Sequence, residues 1–230
     1  MIILFVTVED AESKPVRVFL SHSTNDLTLV MEIKEGLTRY GLEVFVAHVD
    51  IEPSSEWQDE IIRQLELCNV FIPIISDNYR NSRWTDQESG IAIAYKKFII
   101  PIEVNLTPYG FIGKWQALRY RDDVSDTCTK IIETIKTKSP FKKELTDCLI
   151  NYFVSSIQFN EANDRAELLS EYKPFTADQI DKIVNGFLNN SQISGAWTAR
   201  HVFRDMYPEY SELVKPEHKD DFERIIRYKI

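Results

Sequence analysis

"NVFIPIIS", residues 69–76, is an almost unbroken apolar run, and "FIIPIEV", residues 98–104, repeats its character. Runs of this kind mark strands buried on both faces, as in a parallel sheet covered by helices. Pro73 and Pro101 fall inside them and each removes a ladder donor, which leaves both registers open. Two further runs, "VRVFLS" (16–21) and "LEVFVA" (42–47), are short, β-branched and aromatic. Helical spacing separates the runs. Val30, Ile33 and Leu37 recur on one face, with Gly41 suited to the stop. Ser55 reads as an N-cap with Gln58 as its reciprocal partner, ahead of Trp57, Ile61 and Leu65 on one face. A third helix carries Trp84 and Glu88, with Ile91, Ala92 and Tyr95 turned inward. "QALRYR" (116–121) makes a fifth strand and "VSDTCTKIIETIKTK" (124–138) a closing helix.

Strands alternating with helices imply right-handed βαβ units. The expected fold is α/β and flavodoxin-like: a five-stranded parallel sheet, order 2-1-3-4-5, with helices on both faces. In that order ligands bind in the crevice beyond the C-terminal ends of strands 1 and 3. "SHSTND" (21–26) and "SDNYRNSRWTDQE" (76–88) lie there. The candidates for binding or chemistry are therefore Ser21, His22, Ser23, Asp26, Ser76, Trp84 and Glu88. Trp84 and Glu88, four apart, share one helix face. The bland readings are a solvated Glu88, a Trp84 that caps the core, and Ser23 or Asp26 satisfying free N–H groups at a helix start.

Beyond "TKSP" (137–140) the pattern becomes all-helical. Leu145, Leu149, Phe153 and Ile157 are spaced by four. Thr176 with Gln179 forms a capping box before Ile180, Ile183, Val184, Phe187 and Leu188. "GAWTARHVFRDMY" (195–207) and "DDFERIIRYKI" (220–230) suggest two more helices, with Trp197, Phe203, Met206 and Tyr207 read as core. The division expected is 1–140, with its core at 15–138, and 141–230.

The formal net charge is -9, with 15 basic and 21 acidic residues before position 141 and 12 and 15 after it. Neither part offers the positive field that nucleic acid or an anionic membrane requires. Cys68, Cys128 and Cys148 are isolated and odd in number, with no metal-ligand spacing or disulfide framework, so a reducing, cytoplasmic setting is expected. "MIILFVTV" (1–8) falls short of the roughly 20 residues of a membrane helix. It lacks signal-peptide features and reads as an extra strand or ordered arm.

"VRVFLSHSTND", "LEVFVAHVDIEPSSEW", "IPIISDNYRNSRWTDQE" and "IIPIEV", in this order, resemble a Toll/interleukin-1 receptor (TIR) domain, and its bacterial, enzymatic branch in particular. The resemblance covers residues 15–138; residues 141–230 resemble no recognised family. It implies the flavodoxin-like fold and, for many members, cleavage of NAD between nicotinamide and ribose. The family's W-x-x-x-E pattern falls on Trp84 to Glu88 and places the catalytic glutamate at Glu88. The loop of Ser21, His22, Ser23 and Asp26 would touch the nicotinamide ribose or the diphosphate. Asp50 and the loop to Trp57 match a segment that closes over substrate and contacts a neighbouring subunit. Trp57 itself is expected to begin a helix as a packing residue, and His22 is not expected to be catalytic.

One carboxylate suffices for such chemistry. Most glycosidases need two, because a leaving alkoxide must be protonated. Nicotinamide leaves NAD neutral, so no general acid is required. No G-x-G-x-x-G is present, so NAD is expected as a substrate and no cofactor is expected. The expected function is an NAD-consuming enzyme of bacterial defence against phage. Its products would be nicotinamide with ADP-ribose, or a cyclic ADP-ribose signal that reaches a downstream effector. Self-association through the TIR domain is the expected regulation. The alternative is a non-enzymatic TIR adaptor, against which Glu88 argues. Residues 141–230 could bind a trigger and hold the TIR part silent.

Overall fold

In the computed structural model, residues 14–47, 50 and 57–227 are described. The apolar "MIILFVTV" segment, the Ser55 cap and most of the loop from Asp50 to Trp57 lie outside the described residues. The chain runs β1 (Arg17–Ser21), α1 (Leu27–Thr38), β2 (Glu43–Val46), α2 (Trp57–Leu67), β3 (Val70–Ile75), α3 (Asp77–Arg80) and α4 (Thr85–Ala94). Then come β4 (Phe98–Ile99), β5 (Ile102–Glu103), β6 (Leu118–Arg119) and α5 (Val124–Lys138). The strands form one parallel sheet in the order β2-β1-β3-β5-β6, with β4 also on β3.

This is the expected class with one correction. The single fourth strand is two short pieces, and the fifth is Leu118–Arg119 alone. The prolines explain the break. Val70 pairs with Phe98 and Phe71 with Ile99, while Ile74 pairs with Ile102 and Ile75 with Glu103. The same register on both sides of the gap sets Pro73 opposite Pro101. Neither has an N–H, so the ladder lapses there and resumes beyond it.

Alternation along the strands builds two faces. Val18, Leu20, Val70, Ile72 and Ile74 pack with α1 and α5 residues such as Ile33, Leu37, Ile131 and Ile135. Phe19 and Phe71 point the other way, to Ile61 and Leu65 of α2 and Ala92 of α4. Gly41 ends the turn after α1 at φ +73°, a left-handed conformation that glycine adopts without penalty.

The remaining chain is helical: α6 (Lys142–Val154), α7 (Phe159–Ser170), α8 (Ala177–Asn189), α9 (Ser191–Gly195), α10 (Trp197–Tyr210) and α11 (Pro216–Arg227). The Thr176–Gln179 capping box forms as expected. Three expected core residues are exposed. Ile157 lies past the end of α6, with its N–H donated to Glu161. Trp197 is the first residue of α10, because Ala196 is extended and starts the helix expected at 195–207 two residues later; its ring packs against His201. Tyr95 ends α4 and faces solvent beside Lys97.

The buried apolar cluster runs without a break from Val16 through α5 and α6 to Ile226. The Val16 N–H donates to Cys148 Sγ on α6 at 3.2 Å. Lys136 of α5 donates to the Glu171 carbonyl beyond α7. The helical region thus joins the sheet where β1 begins. A cleft of about 1090 Å³ opens at this junction, between Gly41 and Glu43 on one side and Asn151, Lys182 and Asn185 on the other. All three cysteines are buried, and burial pushes each thiol up to about 11, which leaves them inert.

Candidate functional site

The C-terminal end of β1 delivers Ser21 into the first turn of α4. Its Oγ donates to Glu88 Oε2 at 2.5 Å. Both residues are buried, Glu88 to 4% exposure. That is unusual for a glutamate, which is almost never fully buried unless paired. Burial raises its pKa from 4.5 to about 7, against the lowering effect of the Ser21 bond. The solvated-helix reading of Glu88 therefore does not hold.

Trp84 precedes α4 as its N-cap, and its carbonyl accepts the Glu88 N–H one turn on. The indole is half-buried and meets Trp57, the first residue of α2, edge to face with centroids 4.4 Å apart. Trp57 is about one-third exposed, so it packs on Trp84 more than on the core. The two indoles thus form an aromatic pair that joins the start of α2 to the start of α4, one turn before Glu88.

His22 follows Ser21 and is buried, with Nδ1 3.3 Å from the Leu20 carbonyl. Ser23 is buried ahead of a 3-10 turn at Thr24–Asp26 and makes no side-chain cap bond. Asp26 joins the two crevice segments: one carboxylate oxygen accepts from Ser76 Oγ at 2.6 Å and the other from Asn78 at 2.7 Å. Ser76 in turn caps α3, accepting the Tyr79 N–H. Asp26 and Ser76 are therefore engaged in joining the loops after β1 and β3. Asp50 stands apart from these contacts. It is held by Lys34 on α1 and by the Val46 N–H at the end of β2.

Three residues absent from the sequence candidates complete the buried cluster. The Tyr79 hydroxyl lies 3.1 Å from Ser21 Oγ, 2.9 Å from Ser89 Oγ and 3.3 Å from the Thr85 carbonyl. Thr85 Oγ1 donates back to the Tyr79 carbonyl at 2.7 Å. Burial drives the Tyr79 phenol far above its usual range, so it stays protonated. The available signal was the hydroxyl pair Thr85 and Ser89, four apart and so on one face of α4, with a tyrosine in the preceding short helix α3.

Outside this cluster, Tyr109 donates to Asp86, and Arg80 lies 4.8 Å over the Tyr109 ring. Among the described residues, no group of His, Cys, Asp and Glu could hold a metal ion. Among them, no helix is long and apolar enough to cross a membrane.

The family model described as "TIR domain" matches residues 18–133. Among solved structures, the TIR domain of the Toll-related receptor TRR-2 from Hydra magnipapillata is similar to this chain at 19% identity. It covers 55% of this chain and 96% of its own, with a TM-score of 0.42. Among curated proteins, a mitochondrial glutamyl-tRNA(Gln) amidotransferase subunit of Debaryomyces hansenii is 29% identical over 99 residues. That match covers 40% of this chain, which spans only 19% of the relative's length.

Proposed function

The chain belongs to the TIR domain family over residues 18–133, and from that premise we propose that it is an NAD-consuming enzyme whose working group is Glu88. The observation that carries this reading is the buried Glu88 carboxylate, bonded to Ser21 at the end of β1. A buried carboxylate raised toward neutrality beyond the end of β1 marks a candidate working group, suited to meet a cation.

The N-glycosidic bond between nicotinamide and C1′ breaks, and both bonding electrons leave with neutral nicotinamide. Positive charge then develops on the ribose, where a fixed anion lowers the barrier. Glu88 accepts hydrogen bonds from the ribose hydroxyls and sets its negative charge beside the developing cation. The pyridinium of bound NAD also favours the ionised carboxylate. Trp84, backed by Trp57, offers a flat apolar wall for a ring. Water then attacks C1′ and releases a proton, giving ADP-ribose; capture by another atom of the same molecule gives a cyclic isomer. In this reading Ser21, at the end of β1, and His22 and Ser23 after it bind the nicotinamide ribose or the diphosphate. Asp26 and Ser76 act by holding the loops after β1 and β3 together, and Asp50 acts at the edge toward β2. Self-association through the TIR domain and a signalling or defence role belong to the same proposal.

The test is chromatography of NAD incubated with concentrated protein, beside Glu88→Ala. Nicotinamide release by the wild type alone supports the reading, and its co-product separates hydrolysis from cyclisation. Equal release by both proteins removes Glu88 from the chemistry. Silence from the wild type at every protein concentration favours the adaptor reading.

A further inference from the structure

Three hydroxyls stand in line behind the Glu88 carboxylate, and counting their protons shows which arrangement delivers a donor to it. Each hydroxyl carries one proton, and an ionised carboxylate only accepts. At 2.5 Å from Glu88 Oε2, Ser21 commits its proton there. Ser21 Oγ can then only accept from Tyr79, 3.1 Å away. The Tyr79 proton has two such acceptors within reach, Ser21 Oγ at 3.1 Å and the Thr85 carbonyl at 3.3 Å, and the chain forms when it points to Ser21. The Tyr79 oxygen in turn accepts from Ser89 at 2.9 Å. In that arrangement the order runs Ser89 to Tyr79 to Ser21 to Glu88.

The same atoms serve the protonated acid. Glu88 then donates to Ser21, Ser21 to Tyr79, and Tyr79 to the Thr85 carbonyl, while Ser89 keeps its bond to Tyr79. Two protons reorient and no polar atom of the chain loses its partner.

We propose that Tyr79 and Ser89 are positioning residues for Glu88, holding Ser21 as a donor to it through a one-way chain of hydroxyls that sustains the charged carboxylate. This rests on Glu88 being the working group of the site. Aligned hydroxyls polarise one another, so the last bond to the carboxylate is stronger than an isolated one. The other titratable groups near the cluster are His22, next to Ser21, and Asp86, which bonds Tyr109 beside Arg80. The Glu88 carboxylate accepts from Ser21, the last hydroxyl of the chain. The hydroxyl chain is thus what offsets the burial of this charge.

The experiment is a pH titration of the full chain labelled with ¹³C at the glutamate carboxyls, followed by NMR. The Glu88 signal is identified by its loss in Glu88→Gln. Tyr79→Phe removes one oxygen and is expected to move the Glu88 midpoint upward by roughly half to one pH unit, a three- to tenfold change in its ionisation constant. Ser89→Ala should move it the same way by about twofold. A Glu88 midpoint unmoved by Tyr79→Phe, in a protein with the wild-type melting profile, overturns the proposal and leaves Tyr79 as packing. Should Tyr79→Phe not fold, Ser89→Ala decides: its hydroxyl reaches Glu88 only through Tyr79, so no shift overturns the chain. NAD cleavage is read separately. Intact NAD with a shifted midpoint counts against the enzymatic reading and leaves the hydroxyl chain standing.

Discussion

Ser21 Oγ and Glu88 Oε2 lie 2.5 Å apart across 67 residues of sequence, and this bond joins the end of β1 to the first turn of α4. It ties a sheet to a helix through a charge, at the place where a doubly wound fold binds its ligands.

Glu88→Gln should stabilise the protein at alkaline pH. The folded state holds the Glu88 proton more tightly than the unfolded chain does, with midpoints of about 7 and 4.5. The wild type therefore loses stability as pH rises between those values, by up to about 3 kcal/mol for a shift of this size. Glutamine carries no such cost and still accepts from Ser21. Melting curves at pH 8 should place the variant above the wild type, with the gap closing toward pH 4.5. A constant gap would mean that Glu88 is not the titrating group.

NAD cleavage should climb as pH passes upward through about 7, where Glu88 gives up its proton. The limb belongs to kcat/KM, which reports the free enzyme. Bound pyridinium should move the corresponding limb of kcat to lower pH. A flat profile from pH 5.5 to 8.5 would separate the rate from this carboxylate.

Trp84→Ala should lower kcat/KM by about tenfold, matching an aromatic contact of ~1–1.5 kcal/mol. Trp57→Ala, which removes only the ring behind it, should lower kcat/KM less. Equal, large losses would mean that both indoles touch substrate.

Gly41→Ala should destabilise by roughly 2 kcal/mol or more. Its φ is +73°, and an added Cβ would stand 2.5 Å from the Cys148 carbonyl oxygen. Backbone rather than a flexible side chain is in the way. A denaturant midpoint within error of the wild type would show that α6 can withdraw from the turn.

Removing residues 141–230 should yield an aggregating fragment rather than an unleashed enzyme. Leu145, Leu149 and Phe153 are part of the same buried cluster as Val16 and Leu42, so truncation bares that surface to water. A monodisperse fragment with a cooperative melt would disprove this.

The sheet was legible because buried parallel strands leave long apolar runs such as 69–76, which few other structures produce. The gap between β4 and β5 was half legible: Pro73 and Pro101 flagged trouble, but only the register shows that they face one another. Glu88 stood out by its spacing from Trp84. Tyr79 and Ser89 did not, because serine and tyrosine are common in polar loops and their partnership depends on tertiary packing. Asp26 and Ser76 were found as candidates, yet their bond to each other could not be read from residues fifty positions apart. Trp197 misled because an aromatic at helical spacing usually packs inward, whereas here it begins the helix and projects from its end.

The Val16–Cys148 contact gives the molecule a handle. The helical region grips the sheet where β1 begins, and Ser21 lies at that strand's other end. α11 packs on α8 and α10 within the same region. A pull on the last helix would therefore reach the sheet through the helical region, at the end of β1 opposite to Ser21.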